Sequence, residues 1–195
     1  MDIENGGDLQ NPFTKVKKKF APIVNRFVTQ DEYQKLLEHC PDQQWRTLLA
    51  LSRYGGLRCP SEILQLQWSD IQWESHRFSV VSSKFEGRRF VPLFPEIKQE
   101  LKSFSESVGE NVFDRFSRID LHARLGNIVH RAGIENTRRL FDQMRNSRYI
   151  ELERKFGWAY ATYWLGVLSC KSTDGPEPFN GDGIDFQSAA EWKEG

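Results

Sequence analysis

Apolar residues recur at helical spacing along much of the chain. Between residues 29 and 40 they occupy every third or fourth position, and Thr29 with Glu32 has the capping-box pattern that begins a helix. The next periodic stretch follows Pro41 and ends at the glycine pair 55–56. These patterns predict two helices joined by a short turn. Further helices are predicted from Pro60 through Leu66, from Pro95, from Leu121 to Gly133, around residues 138–152, and at 158–165.

Two short stretches in the middle of the chain favour β-strands. Residues 77–83 alternate Phe78 and Val80 with polar neighbours, and residues 88–93 are rich in β-forming side chains. The segment from Lys84 to Gly87 lies between them and predicts a hairpin turn. The fold class is therefore predicted to be α+β, mainly α, with helices around a small antiparallel β-sheet.

Composition divides the chain into three parts. With 38% hydrophobic and 13% aromatic residues, the chain can form a core, which excludes a wholly disordered protein. Residues 28–170 carry the periodic patterns and predict one folded domain. Residues 1–27 predict a basic N-terminal arm or linker. From residue 171 periodicity ends while Gly, Pro, Asp and Glu become frequent, which predicts an acidic, flexible tail over 171–195.

The net charge of zero is a sum of opposed segments. The chain has 27 Lys and Arg against 27 Asp and Glu, which at first argues against a nucleic-acid partner. Residues 11–27, however, carry +5, residues 115–148 carry eight arginines and +5, and residues 174–195 carry −5. Guanidinium groups can hold phosphate oxygens in bidentate geometry. The arginine segment thus fits a phosphate-binding surface, with a solvated helix face as the alternative.

Other classes of site have little support. Cys40, Cys59 and Cys170 are odd in number and far apart, so they form no disulfide or metal spacing, and the four histidines match no metal motif. The N-terminus has no apolar run, and the longest uncharged stretch, 156–170, is shorter than the ~20 residues of a membrane span. We therefore expect a cytoplasmic protein with no metal site and no membrane contact.

Three sequence elements occur in a recognisable order. They are GGLRCPSEILQLQWSDI around Arg58, SSKFEGRRFVPLFPEI around Lys84, and RLFDQMRNSRYIEL around Arg145. Together they resemble the catalytic domain of the tyrosine recombinases of the phage integrase family, over about residues 28–166. The first element is the most specific, because it combines a glycine turn, Leu-Arg, an acid, an aliphatic cluster and Trp-Ser-Asp. The resemblance implies the fold of the DNA breaking-rejoining enzymes.

The resemblance also implies a reaction. In that family a tyrosine attacks a DNA phosphodiester without metal or cofactor, which gives a 3′-phosphotyrosyl link and a free 5′-hydroxyl. Arg58 and Arg145 would stabilise the charge that develops on the phosphate oxygens. Lys84 would protonate the leaving oxygen as general acid. The implied partners are duplex DNA and further copies of the chain, which would assemble as a homo-oligomer on DNA.

The sequence departs from the family pattern at chemically important positions. Asp142 stands where the family's His-x-x-Arg begins, and Val167 stands where a histidine follows Leu-Gly. The tyrosine nucleophile is not matched, since no tyrosine follows Tyr163, and Glu62 lies four residues after Arg58 where three is usual. The negative charge of Asp142 would oppose the arginines unless it pairs with one of them or turns away.

Three functions are consistent with these residues. The first is a site-specific recombinase for DNA integration and recombination, whose missing groups come from a partner subunit or an unrecognised tyrosine. The second is a DNA-binding remnant that neither cleaves nor rejoins DNA, and the third is a protein-interaction module. The unmatched positions favour a DNA-binding, integrase-like domain with impaired catalysis, because no covalent intermediate forms without a nucleophile.

Overall fold

Seven helices and a three-stranded sheet make up the part of the chain that the computed structural model describes, which is residues 26–81, 87–104, 109–135, 139–167 and 186–192. The predicted α+β, mainly α fold class is confirmed. The helices are α1 (Gln30–Glu38), α2 (Gln43–Arg53), α3 (Pro95–Phe104), α4 (Leu121–Arg131), α5 (Leu140–Phe156), α6 (Trp158–Leu165) and α7 (Phe186–Glu191). The strands are β1 (Ile71–Gln72), β2 (Arg77–Val81) and β3 (Arg88–Pro92).

The N-terminal helices begin where the sequence predicts. The Thr29 hydroxyl accepts a hydrogen bond from the Glu32 amide at 3.3 Å, and the Glu32 carboxylate accepts one from the Thr29 amide at 3.2 Å. The Asp42 side chain caps α2 by accepting from the Trp45 amide at 2.9 Å. These caps satisfy amides that have no partner inside their helices.

The helix predicted from Pro60 through Leu66 is instead a turn followed by a short 3₁₀ segment, Ile63–Gln65. Leu66 leaves helical geometry because its carbonyl accepts from the Val112 amide at 2.9 Å. A long-range backbone bond therefore ends the segment before an α-helix can form. Local sequence pattern carries no information about such a bond.

The sheet is antiparallel in the order β1-β2-β3. Phe78 of β2 pairs with Val91 of β3, and both side chains are buried against the helices. The hairpin turn predicted around Lys84 lies outside the described residues. Within β3, Arg89 is buried on the same face as Val91, because alternate side chains of a strand point to the same side.

The helical core contains a buried group of charges. Arg53 of α2 donates to both carboxylate oxygens of Glu151, one of them at 2.8 Å, and Arg148 donates to the same carboxylate at 3.1 Å. The Arg148 Nε also donates to the Tyr54 carbonyl at 2.8 Å. These bonds join α2 to α5. They also explain why the inward side of α5 is not marked by an apolar stripe in the sequence.

Residues 186–192 differ from the flexible tail predicted for 171–195. Residues 186–191 form α7, whose Ala189 and Ala190 are buried against the domain, and Trp192 follows it directly. At one end the Phe186 ring meets the Phe90 ring of β3 at a centroid distance of 6.5 Å. Two aromatic residues and two alanines supply enough apolar surface to hold a short helix in place, although the average composition of the tail is acidic.

Directly after α7, the side chain of Trp192 covers the buried Arg148. The Trp192 ring lies 4.8 Å from the Arg148 guanidinium and 5.4 Å from the Phe156 ring. Phe94 stacks on the same guanidinium at 4.0 Å. Arg148 is thus enclosed between two aromatic faces, an arrangement that stabilises a cation by cation–π attraction.

We expect Trp192→Ala to lower the free energy of unfolding by about 2 kcal/mol, because it removes aromatic packing and uncovers a buried cation. Urea unfolding monitored by circular dichroism would measure the change. Gln187→Ala, at an exposed position of the preceding helix α7, is the control and should stay within about 0.5 kcal/mol of wild type. Equal stability of wild type and Trp192→Ala would mean that the packing of Trp192 adds nothing to the fold.

Candidate phosphate-binding site

Three arginine side chains lie around one buried carboxylate, that of Glu62. It accepts from the Arg58 amide at 2.8 Å and from Arg58 Nη1 at 2.6 Å. Arg89 holds both of its oxygens, with Nη1 at 3.0 Å and Nη2 at 2.8 Å. Arg145 Nη1 lies 3.9 Å from the same carboxylate. Burial would raise the pKa of Glu62, but the Arg89 hydrogen bonds and charge, the Arg58 amide and the Arg145 charge together lower it below its ordinary value.

The same three side chains converge on the end of α6. They donate to successive carbonyls, namely Arg89 Nε to Trp164 at 2.8 Å, Arg145 Nη2 to Leu165, and Arg58 Nη2 to Gly166 at 2.8 Å. Carbonyls at the C-terminal end of a helix lack intrahelical partners and lie at the negative end of its dipole. The helix end therefore orients the guanidinium groups that Glu62 collects.

Two glycines allow this close approach. Gly56 has φ +60°, its carbonyl accepts from Arg145 Nη1, and an added Cβ would lie 2.8 Å from the Leu165 side chain. Gly166 also has φ +60°, and a Cβ there would lie 3.1 Å from the Arg89 side chain. Both positions need a backbone conformation that glycine adopts without strain.

The arginines differ in their access to solvent. The side chains of Arg58 and Arg145 are 25% and 14% exposed, whereas that of Arg89 is 5% exposed. Burial, followed by the charge of Arg58, lowers the pKa of Arg145 to about 9. Three guanidinium groups share one carboxylate, so the cluster carries an excess of two positive charges. An anion at the exposed edge of Arg58 and Arg145 would offset this excess.

Asp142 does not join this cluster through any hydrogen bond within the described ranges. Its carboxylate accepts from Arg139 Nε at 2.7 Å, one helical turn earlier; the Arg139 side chain is largely exposed and that of Asp142 partly exposed. Its charge is thereby offset by an arginine other than Arg58 or Arg145. The Asp142 charge nevertheless raises the pKa of Arg145, so Asp142 lies close enough to oppose an anion at the site.

Val167 lies beside the cluster but offers no side-chain donor to it. It follows Gly166 directly, its amide donates to the Thr162 carbonyl at 2.9 Å, and its side chain packs against the core. The third predicted residue, Lys84, lies outside the described residues. The structure thus brings Arg58 and Arg145 together, with the apolar side chain of Val167 directly after the Gly166 carbonyl that holds Arg58.

The last tyrosines of the sequence are packing residues. Tyr149, Tyr160 and Tyr163 are partly buried and packed against the core. Burial, aided by Glu153, raises the pKa of Tyr149 to about 12, which disfavours its ionised form. These positions agree with the expectation that the three rings are core or helix-face aromatics.

The described ranges hold no group of three or more His, Cys, Asp or Glu side chains that could bind a metal ion. Within them, too, no helix has the length and apolar character needed to cross a membrane. Cys40 and Cys59 are free thiols, and burial raises the pKa of each to about 12, so neither is an activated nucleophile.

Sequence reasoning missed the part that Arg89 plays. The residue stands in RRFVPL beside Lys84, but the motif alone gives it no role. Alternation in β3 is the available signal, because it places Arg89 on the side of Val91, and an arginine on a buried face needs an acceptor. Glu62 enters the sequence analysis only through its unusual spacing from Arg58, and the structure shows that the two residues pair within the site.

Comparison with known families agrees with the geometry. The model of the phage integrase family matches residues 26–155, which is two thirds of the chain. The chain belongs to the phage integrase family. The resemblance inferred from the three sequence elements is therefore confirmed. No curated protein matches the chain significantly.

Solved structures with the same fold are tyrosine recombinases. XerA recombinase superposes with a TM-score of 0.63 at 21% identity, covering 76% of this chain and 58% of its own. The lambda integrase catalytic core gives 0.59 at 20% identity, covering 77% of this chain and 95% of its own. XerH bound to palindromic difH substrate in a post-cleavage complex gives 0.61 at 19% identity, with coverage of 79% and 50%. The chain thus spans about half to three fifths of XerA and XerH and nearly all of the lambda catalytic core.

We expect Glu62→Gln to lower the free energy of unfolding at pH 7 by about 3–5 kcal/mol, because it removes the anion from a buried ion pair. The folded-state pKa of Glu62 is lowered, so its contribution is present above the ordinary value of 4.5 and is lost as pH falls through the folded value.

The difference between Glu62→Gln and wild type should therefore shrink in acid. Urea unfolding at pH 7 and at pH about 3 would show this. Glu74→Gln, at an exposed acid, serves as control and should change stability by less than about 0.5 kcal/mol at pH 7. A Glu62→Gln effect of the same size at both pH values would contradict an ionised Glu62.

Proposed function

We propose that this chain is a DNA-binding domain for DNA integration and recombination, and that Arg58 and Arg145 hold one phosphate of duplex DNA. One observation carries the proposal: two partly exposed guanidinium groups are fixed side by side in a cluster with an excess of two positive charges. A phosphodiester supplies the missing negative charge and the acceptor oxygens. Such donors need little rearrangement on binding, because protein acceptors already orient them.

The same arrangement suits the charge that grows on a phosphate during strand transfer. Fixed guanidinium groups can stabilise non-bridging oxygens without a metal ion. The remaining chemistry is incomplete in this chain, because Val167 and the Arg139-paired Asp142 replace imidazole donors and the tyrosine is unmatched. A role for Lys84 as general acid stays a prediction. We therefore infer binding of DNA with impaired cleavage.

Recombination by an assembled complex is the second candidate. Solved relatives include a lambda integrase tetramer bound to a Holliday junction and XerH bound to difH substrate. In such an assembly this chain would be one protomer of a homo-oligomer on DNA, and the nucleophile would come from another chain. Location in the cytoplasm, where DNA and partner subunits would meet, stays a prediction as well.

We expect Arg58→Ala and Arg145→Ala each to weaken binding of a DNA duplex about tenfold, which is the value of one charge-assisted hydrogen bond. Fluorescence anisotropy over a salt series would also show the slope of log K against log salt becoming less negative by about 0.9 for each phosphate that is no longer neutralised.

Arg154→Ala is the matched control for these variants. Arg154 is exposed and lies nine residues beyond Arg145 on α5, which places it on the opposite helix face. It should bind DNA as wild type does. Equal affinities for all three variants would show that Arg58 and Arg145 form no specific phosphate site. A response of wild type that does not vary with salt would favour a protein-interaction module.

A nicked suicide duplex should trap no covalent protein–DNA adduct with this chain alone. The physical reason is that a stable phosphotyrosyl link requires a nucleophile beside the phosphate. Denaturing gel electrophoresis with labelled DNA would detect an adduct. A labelled band that shifts with the protein would show that the chain does cleave DNA, and mass spectrometry of that band would identify the residue.

A further inference from the structure

We infer that Arg89 is a positioning residue, which contacts no DNA itself but fixes the geometry of Arg58 and Arg145. The inference rests on the proposed function of those two arginines. Arg89 is the least exposed of the three, and its donors are directed into the protein: two to Glu62 and one to the carbonyl of Trp164. A side chain so enclosed can influence a bound phosphate only through its neighbours.

Glu62 links Arg89 to the site, because its carboxylate bonds both Arg89 and Arg58. Arg89 occupies one side of each carboxylate oxygen, which leaves their other sides to Arg58 and to the more distant Arg145. A carboxylate has about four acceptor positions, so three cations can share it only in a fixed arrangement. Loss of the Arg89 fork would let Glu62 rotate. The Arg58 guanidinium, held by that carboxylate, would move with it.

Arg89 also affects Arg58 and Arg145 through the C-terminal end of α6. Arg89 Nε holds the Trp164 carbonyl, while the next two carbonyls hold Arg145 and Arg58. A shift of this helix end would displace both acceptors at once. The planar guanidinium presents two donors to the carboxylate and a third to the carbonyl, and the ammonium group of lysine cannot reproduce that bidentate geometry.

Two variants separate geometry from charge. Arg89→Lys retains the charge but loses the fork. The double variant Glu62→Met with Arg89→Met removes one positive and one negative charge, so the cluster keeps its excess of two. Replacing a buried ion pair by apolar side chains is frequently tolerated by a fold. Because the double variant also removes the Glu62 contact of Arg58, it tests the Glu62–Arg89 pair as a unit if Arg89→Lys fails to fold.

Duplex DNA binding of the full chain over a salt series tests the inference, with thermal unfolding to confirm that each variant is folded at the assay temperature. Arg89→Lys and the double variant should each lose about tenfold in affinity, and their salt slopes should become less negative by about 0.9, although Arg58 and Arg145 are unchanged. Adding Arg58→Ala to Arg89→Lys should cost less than about twofold further, because Arg89 acts through Arg58.

The binding results distinguish a wrong positioning role for Arg89 from a wrong assignment of the phosphate site. If Arg58→Ala and Arg145→Ala weaken binding while both Arg89 variants bind as wild type does, the positioning role is wrong and the phosphate site stands. If the effects of Arg89→Lys and Arg58→Ala multiply, Arg89 acts independently of Arg58 and the inference fails. If Arg58→Ala and Arg145→Ala bind as wild type does, the proposed function itself fails, and the positioning role fails with it.

Discussion

A single buried carboxylate organises the site end of this domain. Without Glu62, three guanidinium groups would stand together in a region of low dielectric, where mutual repulsion is strong. Glu62 and the carbonyls at the end of α6 supply the negative charge and acceptors that allow them to coexist. The turn after α2, the strand β3 and the helix α6 are all held to this point, so the local fold and the site share one set of contacts.

The helices and the sheet were largely predictable because their signals are local. The capping pattern at Thr29 and the glycines after α2 mark boundaries through backbone chemistry that acts within a few residues. The 3₁₀ segment after Pro60 was not predictable, since a hydrogen bond from Val112 determines where it ends. The helix α7 was not predicted, because the average composition of the tail is acidic and does not reveal that Phe186 and Trp192 can pack against the domain.

The sequence singled out two of the arginines that the structure brings together, but it did not indicate their hydrogen-bond partners. Motif order identified Arg58 and Arg145, and the structure brings them to one carboxylate and one helix end. Arg89 went unassigned because its role depends on an acceptor 27 residues earlier in the chain. The pairing of Asp142 with Arg139 could not be chosen from sequence either, since arginines on both sides of it were available as partners.

Helix α5 bears Arg145 and Arg148 three residues apart, one directed to the site and the other locked in the core by Glu151 and two aromatic faces. Side chains on two successive turns therefore fix the orientation of the helix. Any rolling of α5 that moved Arg145 toward a ligand would break the core contacts of Arg148. In the proposed complex with DNA, the position of Arg145 would therefore be fixed by the core, and adjustment would fall to the Arg58 turn or to the DNA backbone.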